Sequence, residues 1–360
     1  MTMMIGCPAE TEWHERRVAV TPDVVARLRR TGLDVMVEAG AGRAAGFPDE
    51  AYVAAGARIA SRSDVFARSD ILAVIHRPDC GRLRAGQIVI GLLRPYDDPA
   101  ELAGVTALSF EGLPRTLDRA RPMDVLASQA SVAGYKAAVL AADTFGGFFP
   151  AMTTAGGTAR PARVLVLGGG VAGPQAMATA RRLGASVTAY DVCVVDAGRD
   201  EQRASVAAIR DFDVVITTAQ VAGQRPQELV PAATLAALAP GSVVVDLAAG
   251  PLGGNVAGSV PDGRTETDNG VIVLGAGNLP AQVPRAASSA WACNVAALLE
   301  YLMHNGSVVL DPDDEITAGL AAGGHQGRRR RSRSQSRRRG GRSGRRTSRT
   351  RRVAGRSTGA

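Results

Sequence analysis

The first 110 residues alternate short apolar runs with amphipathic stretches. Residues 3–8 (MMIGCP), 34–40 (DVMVEAG), 70–75 (DILAVI), 87–93 (QIVIGLL) and 105–110 (VTALSF) are runs of strand length bounded by turn-forming residues. Between the first two, TPDVVARLRRTG places its apolar positions at helical spacing. Thr21 is the expected N-cap, Pro22 takes the first helical position and Gly32 lies just past the end. Strands separated by helices predict a parallel sheet.

A second series begins near Pro161. ARVLVLG (162–168), SVTAY (186–190), DVVITTA (213–219), GSVVVDLA (241–248) and GVIVLGAG (270–277) are apolar almost throughout. Continuous apolarity, in place of alternation, predicts strands buried on both faces. The stretch between the two series, DVLASQASVAGYKAAVLAADTF (124–145), has helical spacing and should link two domains. After Pro284, SSAWACNVAALLEYLMHNG reads as a helix with Ser288 or Ser289 near its start and Gly306 at its end, crossing back to the first domain. The expected division is 1–126 with 288–320 for the first domain and 127–287 for the second.

Composition changes this picture only at the end of the chain. A length of 360 residues is long for one core and suits two. The net charge of +8 is a property of the tail: from Arg328 onward there are 15 arginines and no acid, so the residues ahead of it carry −7. Residues 323–360 are mostly Arg, Ser and Gly, offer no apolar face to bury, and are expected to be a disordered basic tail. Such an arm could bind polyanions, but it has no aromatic residue for base stacking, so no specific nucleic-acid partner is expected. A shifted reading frame in GC-rich DNA would give the same composition. No apolar run reaches the roughly 18 residues needed to cross a bilayer. The N-terminus has no signal-peptide plan, and a cytoplasmic protein without a membrane span of its own is expected. Cys7, Cys80, Cys193 and Cys293 are far apart, which predicts reduced thiols with no metal site and no disulfide framework.

The strongest motif is VLVLGGGVAGPQAMATARRLGASVTAYD. Gly168, Gly170 and Gly173 make a GxGxxG with a strand before it, a helix after it, a second strand and then an acid. In this arrangement the first glycine permits the tight turn. The second lets the backbone, with the intervening Val171 and Ala172, approach a pyrophosphate at the helix N-terminus. The third lets helix and strand pack closely. Asp191, followed by Val192, stands where a carboxylate accepts from ribose hydroxyls and repels a 2′-phosphate, which favours NAD(H) over NADP(H). Ala219, after Thr217 and Thr218, and Leu247, after Asp246, end the following strands, and ligands in such sheets bind at these carboxyl ends. The fold class expected is α/β: two Rossmann-like domains with parallel sheets separated by a cleft, plus the disordered Arg-rich tail.

Several segments, in order, resemble one known family. These are IGCPAETEWHERRVAVTPDVVARLRRTGLDVMVEAGAG, DVLASQASVAGYKAA, VLVLGGGVAGPQAMATARRLGA, GSVVVDLAAGPLGGN and NGVIVLGAGNLP. They look like the NAD(H)-binding component of proton-translocating nicotinamide nucleotide transhydrogenase, a relative of alanine dehydrogenase, over residues 4–315. The resemblance implies an enzyme subunit that passes a hydride directly between two nicotinamides. It also implies NADP(H)-binding and membrane subunits as partners, a homodimer, and a location peripheral to the inner membrane through those partners.

In that family a loop with Arg, Gln and Asp lies beside the nicotinamide. GLPRTLDRARPMDVLAS matches it imperfectly. Arg115 and Asp124 fall on the Arg and Asp with one extra residue between them. Arg121 stands at the glutamine, Ala127 replaces the first serine, and Ser128 is kept. Arg115, Asp124 and Ser128 are the catalytic candidates that the resemblance implies. The arginine after the ribose acid is Cys193 here, and the segment between Asp191 and Asp213 is much shorter than in the family, without the loop that closes over the nucleotide.

Alanine dehydrogenases use a Lys and a His to bind and protonate pyruvate. His76 stands at the lysine position and Arg94 at the histidine position, with Pro95 after it as in transhydrogenases. Arg17 is shared by both families and could hold a carboxylate. His76 and Arg94 read most simply as cleft polarity, and without an obvious proton donor, reduction of a 2-oxo acid is not expected. An amino-acid dehydrogenase of the alanine dehydrogenase type, and a catalytically silent NAD-binding paralogue, are the competing readings.

Overall fold

The computed structural model describes residues 2–94, 102, 104–190, 209–220 and 225–321. Two six-stranded sheets dominate it. The first contains β1 (Met3–Cys7), β2 (Leu33–Glu38), β3 (Arg58–Ala60), β4 (Ile71–His76), β5 (Ile88–Leu92) and β6 (Thr106–Ser109) in the spatial order β3-β2-β1-β4-β5-β6, all parallel. Helices α1 (Pro22–Arg30), α2 (Asp49–Ala55) and α3 (Arg62–Arg68) connect its strands. Helix α4 (Val125–Thr144) and a hairpin of β7 (Met152–Thr154) and β8 (Gly157–Ala159) lead from it to the second sheet.

The second sheet contains β9 (Arg163–Leu167), β10 (Ser186–Tyr190), β11 (Val214–Thr217), β12 (Val243–Asp246), β13 (Arg264–Glu266) and β14 (Ile272–Gly275), ordered β10-β9-β11-β12-β14-β13. Helix α5 (Ala172–Arg182) leads from β9 to β10. Both faces are covered, as continuous apolarity requires. Val164, Val214 and Val243 pack with Ala137, Ala138 and Ala141 of α4 and with Ala176 and Ala180 of α5. On the other face Leu165, Val215, Val244 and Val273 pack with Ile209, Phe212 and Leu235.

The long helix α6 (Pro284–Leu302) then packs on the first sheet: Trp291, Val295, Leu298 and Leu302 share a core with Ile5, Val35, Ile71 and Leu28. Where α4 and α6 meet, Ser128 Oγ donates to Asn294 Oδ1 at 2.7 Å, Gln129 Nε2 donates to the Ala287 carbonyl at 3.0 Å, and Asn294 Nδ2 donates to the Pro122 carbonyl at 2.7 Å. The two inter-sheet helices are therefore tied by polar side chains inside an otherwise apolar crossing.

Several local expectations change. Thr21 has the extended backbone of an N-cap, yet its buried hydroxyl makes no capping bond and has no partner among the described residues. The returning helix starts at Pro284, ahead of Ser288, because proline suits the first helical position. It ends at Leu302, and Met303–His304 pairs with Ser307–Val308 around a turn at Asn305 and Gly306. The edge strand β13 is antiparallel to β14, so the second sheet is not wholly parallel. Helix α4 is long and apolar enough, by length and composition, to cross a membrane, although no such stretch was expected; its Ala, Gly and Ser residues instead pack against α5 and α6. The basic tail, 323–360, lies outside the described residues.

Candidate functional site

The glycine loop follows β9 at the carboxyl edge of the second sheet. Gly168 has φ +123°, a conformation that disfavours a side chain, and a Cβ there would meet Thr218 Oγ1 at 2.5 Å. A Cβ on Gly173 would sit 2.1 Å from the Gly168 carbonyl oxygen, so this glycine allows α5 to start hard against the strand end. Gly170 differs: among the described residues a Cβ there meets nothing within 4 Å. The α5 N-terminus beyond it has no acidic residue in its first turn and no side-chain cap, and Val171 is exposed. Open space next to uncapped first-turn amides at the positive end of a helix fits a pyrophosphate.

The neighbouring strand ends complete the floor. Thr218 Oγ1 reaches the carbonyls of Leu167 and Gly168 at 3.3 and 3.4 Å. The Leu247 amide donates to the Thr217 carbonyl at 3.0 Å, continuing the ladder past β12. Buried Asp246 accepts from Thr217 Oγ1, the Ala248 amide and the Val256 amide, and so fixes the turn carrying Leu247. Gly168, Gly170, Val171, Ala172, Gly173, Ala219 and Leu247 thus share one edge of the sheet. Asp191, Val192 and Cys193 lie outside the described residues.

The structure brings Arg115 and Asp124 together: Arg115 Nε donates to Asp124 Oδ2 at 2.8 Å. The other carboxylate oxygen accepts from the Ala127 amide and caps α4. Ser128 is turned to Asn294 on α6. Arg121 is exposed and pairs with Asp118, three residues before it. The same helix that Asp124 caps touches the glycine loop further along: a Cβ on Gly134 would lie 2.2 Å from the Ala172 carbonyl oxygen. α4 therefore sets the Arg115–Asp124 loop relative to the glycine loop.

The facing wall belongs to the first domain, and its chemistry was only partly legible. Arg17 is buried, and each nitrogen of its guanidinium donates a hydrogen bond. Its Nε and Nη2 donate to Glu15 at 2.8 and 2.6 Å, and its Nη1 donates to Gln129 Oε1 at 2.9 Å. His76 Nε2 lies 2.8 Å from Glu15 Oε2, and its Nδ1 lies 3.5 Å from Glu12 Oε2. Asn278, in the loop after β14, donates to Glu15 Oε2 at 3.2 Å and so joins the second domain to this cluster. Arg94, with φ +47°, reaches Glu12 at 3.4 Å.

Burial alone would raise the Glu15 carboxyl, but hydrogen bonds from Arg17 and His76 outweigh it and hold the group well below the usual carboxylate range. Glu10 accepts from the amides of Ile75 and His76 at the end of β4, at 2.6 and 3.1 Å. There burial wins and pushes its carboxyl up to about 7. Sequence reasoning missed Glu10, Glu15, Gln129, Asn278 and Asn294. The density of acids in AETEWHERR was the available signal. A cavity of about 410 Å³ opens beside the Glu15 cluster between His14, Arg16, Asp262, Arg264, Asn278 and Gln282, and none of the residues expected from sequence lines it.

Two α/β sheets joined by α4 and α6, with an uncapped glycine loop at the edge of one, define a two-domain protein built to bind a dinucleotide. Comparison narrows the class. The "Alanine dehydrogenase/PNT, N-terminal domain" family matches residues 6–133 and the corresponding C-terminal domain matches residues 137–328. The chain belongs to the alanine dehydrogenase/PNT family, whose Rossmann fold binds NAD(H). It is 34% identical to NAD(P) transhydrogenase subunit alpha of Cereibacter sphaeroides, over 88% of this chain and 69% of that subunit. It is 31% identical to NAD(P) transhydrogenase subunit alpha of Haemophilus influenzae, over 88% and 70%. It is also 33% identical to the alanine dehydrogenase of Mycobacterium tuberculosis, over 90% and 94%. Among solved structures, a transhydrogenase from Sinorhizobium meliloti superposes with a TM-score of 0.82 at 36% identity, covering 88% of this chain and 97% of that one. An L-alanine dehydrogenase superposes with 0.76 at 28%, covering 88% and 94%.

Proposed function

We propose that the chain is the NAD(H)-binding subunit of a proton-translocating transhydrogenase, acting beside NADP(H)-binding and membrane subunits. NADH, when bound, supplies the hydride. The residues of this chain bind, orient and exclude water. Gly168, Gly170 and Gly173 let backbone amides of α5 reach the pyrophosphate. Asp191 selects the unphosphorylated ribose. Arg115, held by Asp124, orients the reacting end of the dinucleotide, and Ser128 acts on it only through the α4–α6 crossing. The resemblance adds a homodimer and a cytoplasmic position, peripheral to the inner membrane through the partner subunits.

The observation that carries this reading is the state of the first-domain wall. Arg17 would have to receive a substrate carboxylate in an amino-acid dehydrogenase, but Glu15 and Gln129 already occupy its guanidinium. Hydride transfer between two nicotinamides needs neither a carboxylate clamp nor a proton donor. The test is a reconstitution. Purified chain, NADH and an NADP⁺ analogue are mixed with the NADP(H)-binding and membrane subunits of a related transhydrogenase. Reduction of the analogue that requires this chain supports the reading. No reduction, in a mixture where the chain binds NADH, would overturn it in favour of an amino-acid dehydrogenase or a silent NAD-binding paralogue.

A further inference from the structure

Asn255 closes the segment GSVVVDLAAGPLGGN and was assigned no role from sequence, yet it is fully buried and makes three side-chain hydrogen bonds. Its Oδ1 accepts from the Ala219 amide at 3.1 Å. Its Nδ2 donates to the Ala219 carbonyl at 2.9 Å and to the Gln227 carbonyl at 2.7 Å. β11 ends at Thr217, so the side-chain amide stands in for a neighbouring strand and pairs both peptide groups of Ala219. The backbone carbonyl of Asn255 accepts from Leu229 and Val230, and the next residue, Val256, is held by Asp246. The clamp is thus anchored to the ends of both β11 and β12.

What it holds is the wall of the glycine loop. An added Cβ on Gly168 would lie 3.1 Å from the Thr218 carbonyl carbon and 3.2 Å from the Ala219 nitrogen. The Thr218–Ala219 backbone and the first glycine of the loop are therefore in van der Waals contact, and any shift of Ala219 moves the loop. We propose that Asn255 is a positioning residue for the dinucleotide: by clamping Ala219 it sets the distance between the Thr218–Ala219 segment and the Gly168 turn. This rests on the reading of residues 168–173 as the nucleotide loop.

The test uses the full chain and NADH by calorimetry, with Asn255→Asp and a matched control. Asn255→Asp keeps shape and acceptor but turns a carboxylate toward two carbonyls. Asn269 is the control: its Nδ2 donates to the carbonyls of Leu235 and Leu238, in the turn before β14, at the opposite edge of the sheet. Each variant loses a side-chain donor to backbone carbonyls, fully buried at Asn255 and half-buried at Asn269, and should melt lower. Only Asn255→Asp should weaken NADH binding, by about tenfold or more. If Asn255→Asp folds and binds NADH as tightly as the unmutated chain, or if Asn269→Asp weakens binding equally, the proposal is overturned. If the unmutated chain does not bind NADH, the reading of the loop fails and the positioning role falls with it. Should Asn255→Asp not fold, hydrogen exchange on the unmutated chain without nucleotide decides. A slowly exchanging Ala219 amide supports the clamp, and one exchanging at the rate of an open loop overturns it.

Discussion

The two domains have the same architecture and opposite contents at the same place. In each sheet the chain reverses its strand order beside the first strand, between β1 and β4 in one and between β9 and β11 in the other. Open α/β sheets bind ligands at that crevice, at the carboxyl ends of the strands. In the second domain β9 runs into glycines, and no described residue fills the space beside Gly170. In the first, β1 runs into CPAET, and the carboxylate of Glu10 occupies the amides at the end of β4. Glu15, Arg17 and His76 fill the region beyond it. The two crevices differ in backbone as well as side chains: β9 passes to α5 through the short glycine turn, whereas β1 reaches α1 only after residues 8–21, which carry the acids of the wall.

The contrast breaks most visibly at Glu15. Its side chain is fully buried against Arg17 and His76, so Glu15→Ala leaves the buried Arg17 guanidinium without its carboxylate acceptor. Denaturant unfolding should show a loss of about 3–5 kcal/mol. A loss under about 0.5 kcal/mol would mean that the wall is not held by this network.

In the second domain the corresponding change acts on binding. Gly170→Val puts a side chain into open space, so melting should be unchanged while NADH affinity falls by about 100-fold or more, near 3 kcal/mol. Gly173→Ala should do the reverse and destabilise first, because its Cβ meets the Gly168 carbonyl. Normal NADH binding by Gly170→Val would remove this loop as the receptor. A smaller effect is expected at Asp191: Asp191→Ala should narrow the preference for NADH over NADPH by about tenfold. Equal affinities in the unmutated chain would refute that role.

The smallest effect is a slope with pH. Glu10 titrates near 7 in the folded chain, above the ordinary carboxylate value, so the folded state holds a proton that the unfolded chain has released. Its contribution is full below the unfolded value and is lost as pH rises from about 4.5 to about 7. Glu15 works in the opposite sense, and its contribution is lost as pH falls through the acid range. Melting curves of Glu10→Gln from about pH 5 to about pH 8 should therefore be flatter than those of the unmutated chain, and an unchanged slope would contradict the assignment.

The scaffold was legible because its signal is local. Ten apolar runs correspond to ten strands, and the 124–145 segment is helix α4. Strands β3, β7, β8 and β13 were missed because each has three residues and little burial, so no apolar run marks them. The glycine loop was legible for the same reason: its requirements lie within six consecutive residues. The wall and the clamp were not, because their partners are distant in the chain. Glu15 meets Asn278 across 263 residues, Ser128 meets Asn294 across 166, and Asn255 meets Ala219 across 36. Arg17 was legible as a cation but not as a neutralised one: Glu15 is only two residues away, but Gln129 comes within reach only when the 10–17 loop folds against α4.

If the second-domain loop receives the dinucleotide, the first-domain wall, with Arg17 held by Glu15 and Gln129, should still be closed to an oxo acid. Alanine-dependent reduction of NAD⁺ by the purified chain tests it most directly, with NADH binding by calorimetry as the control on the same sample. The account predicts NADH binding and no alanine-dependent NADH production. Alanine-dependent NADH production that disappears in His76→Ala would contradict it, and would place substrate chemistry on the wall.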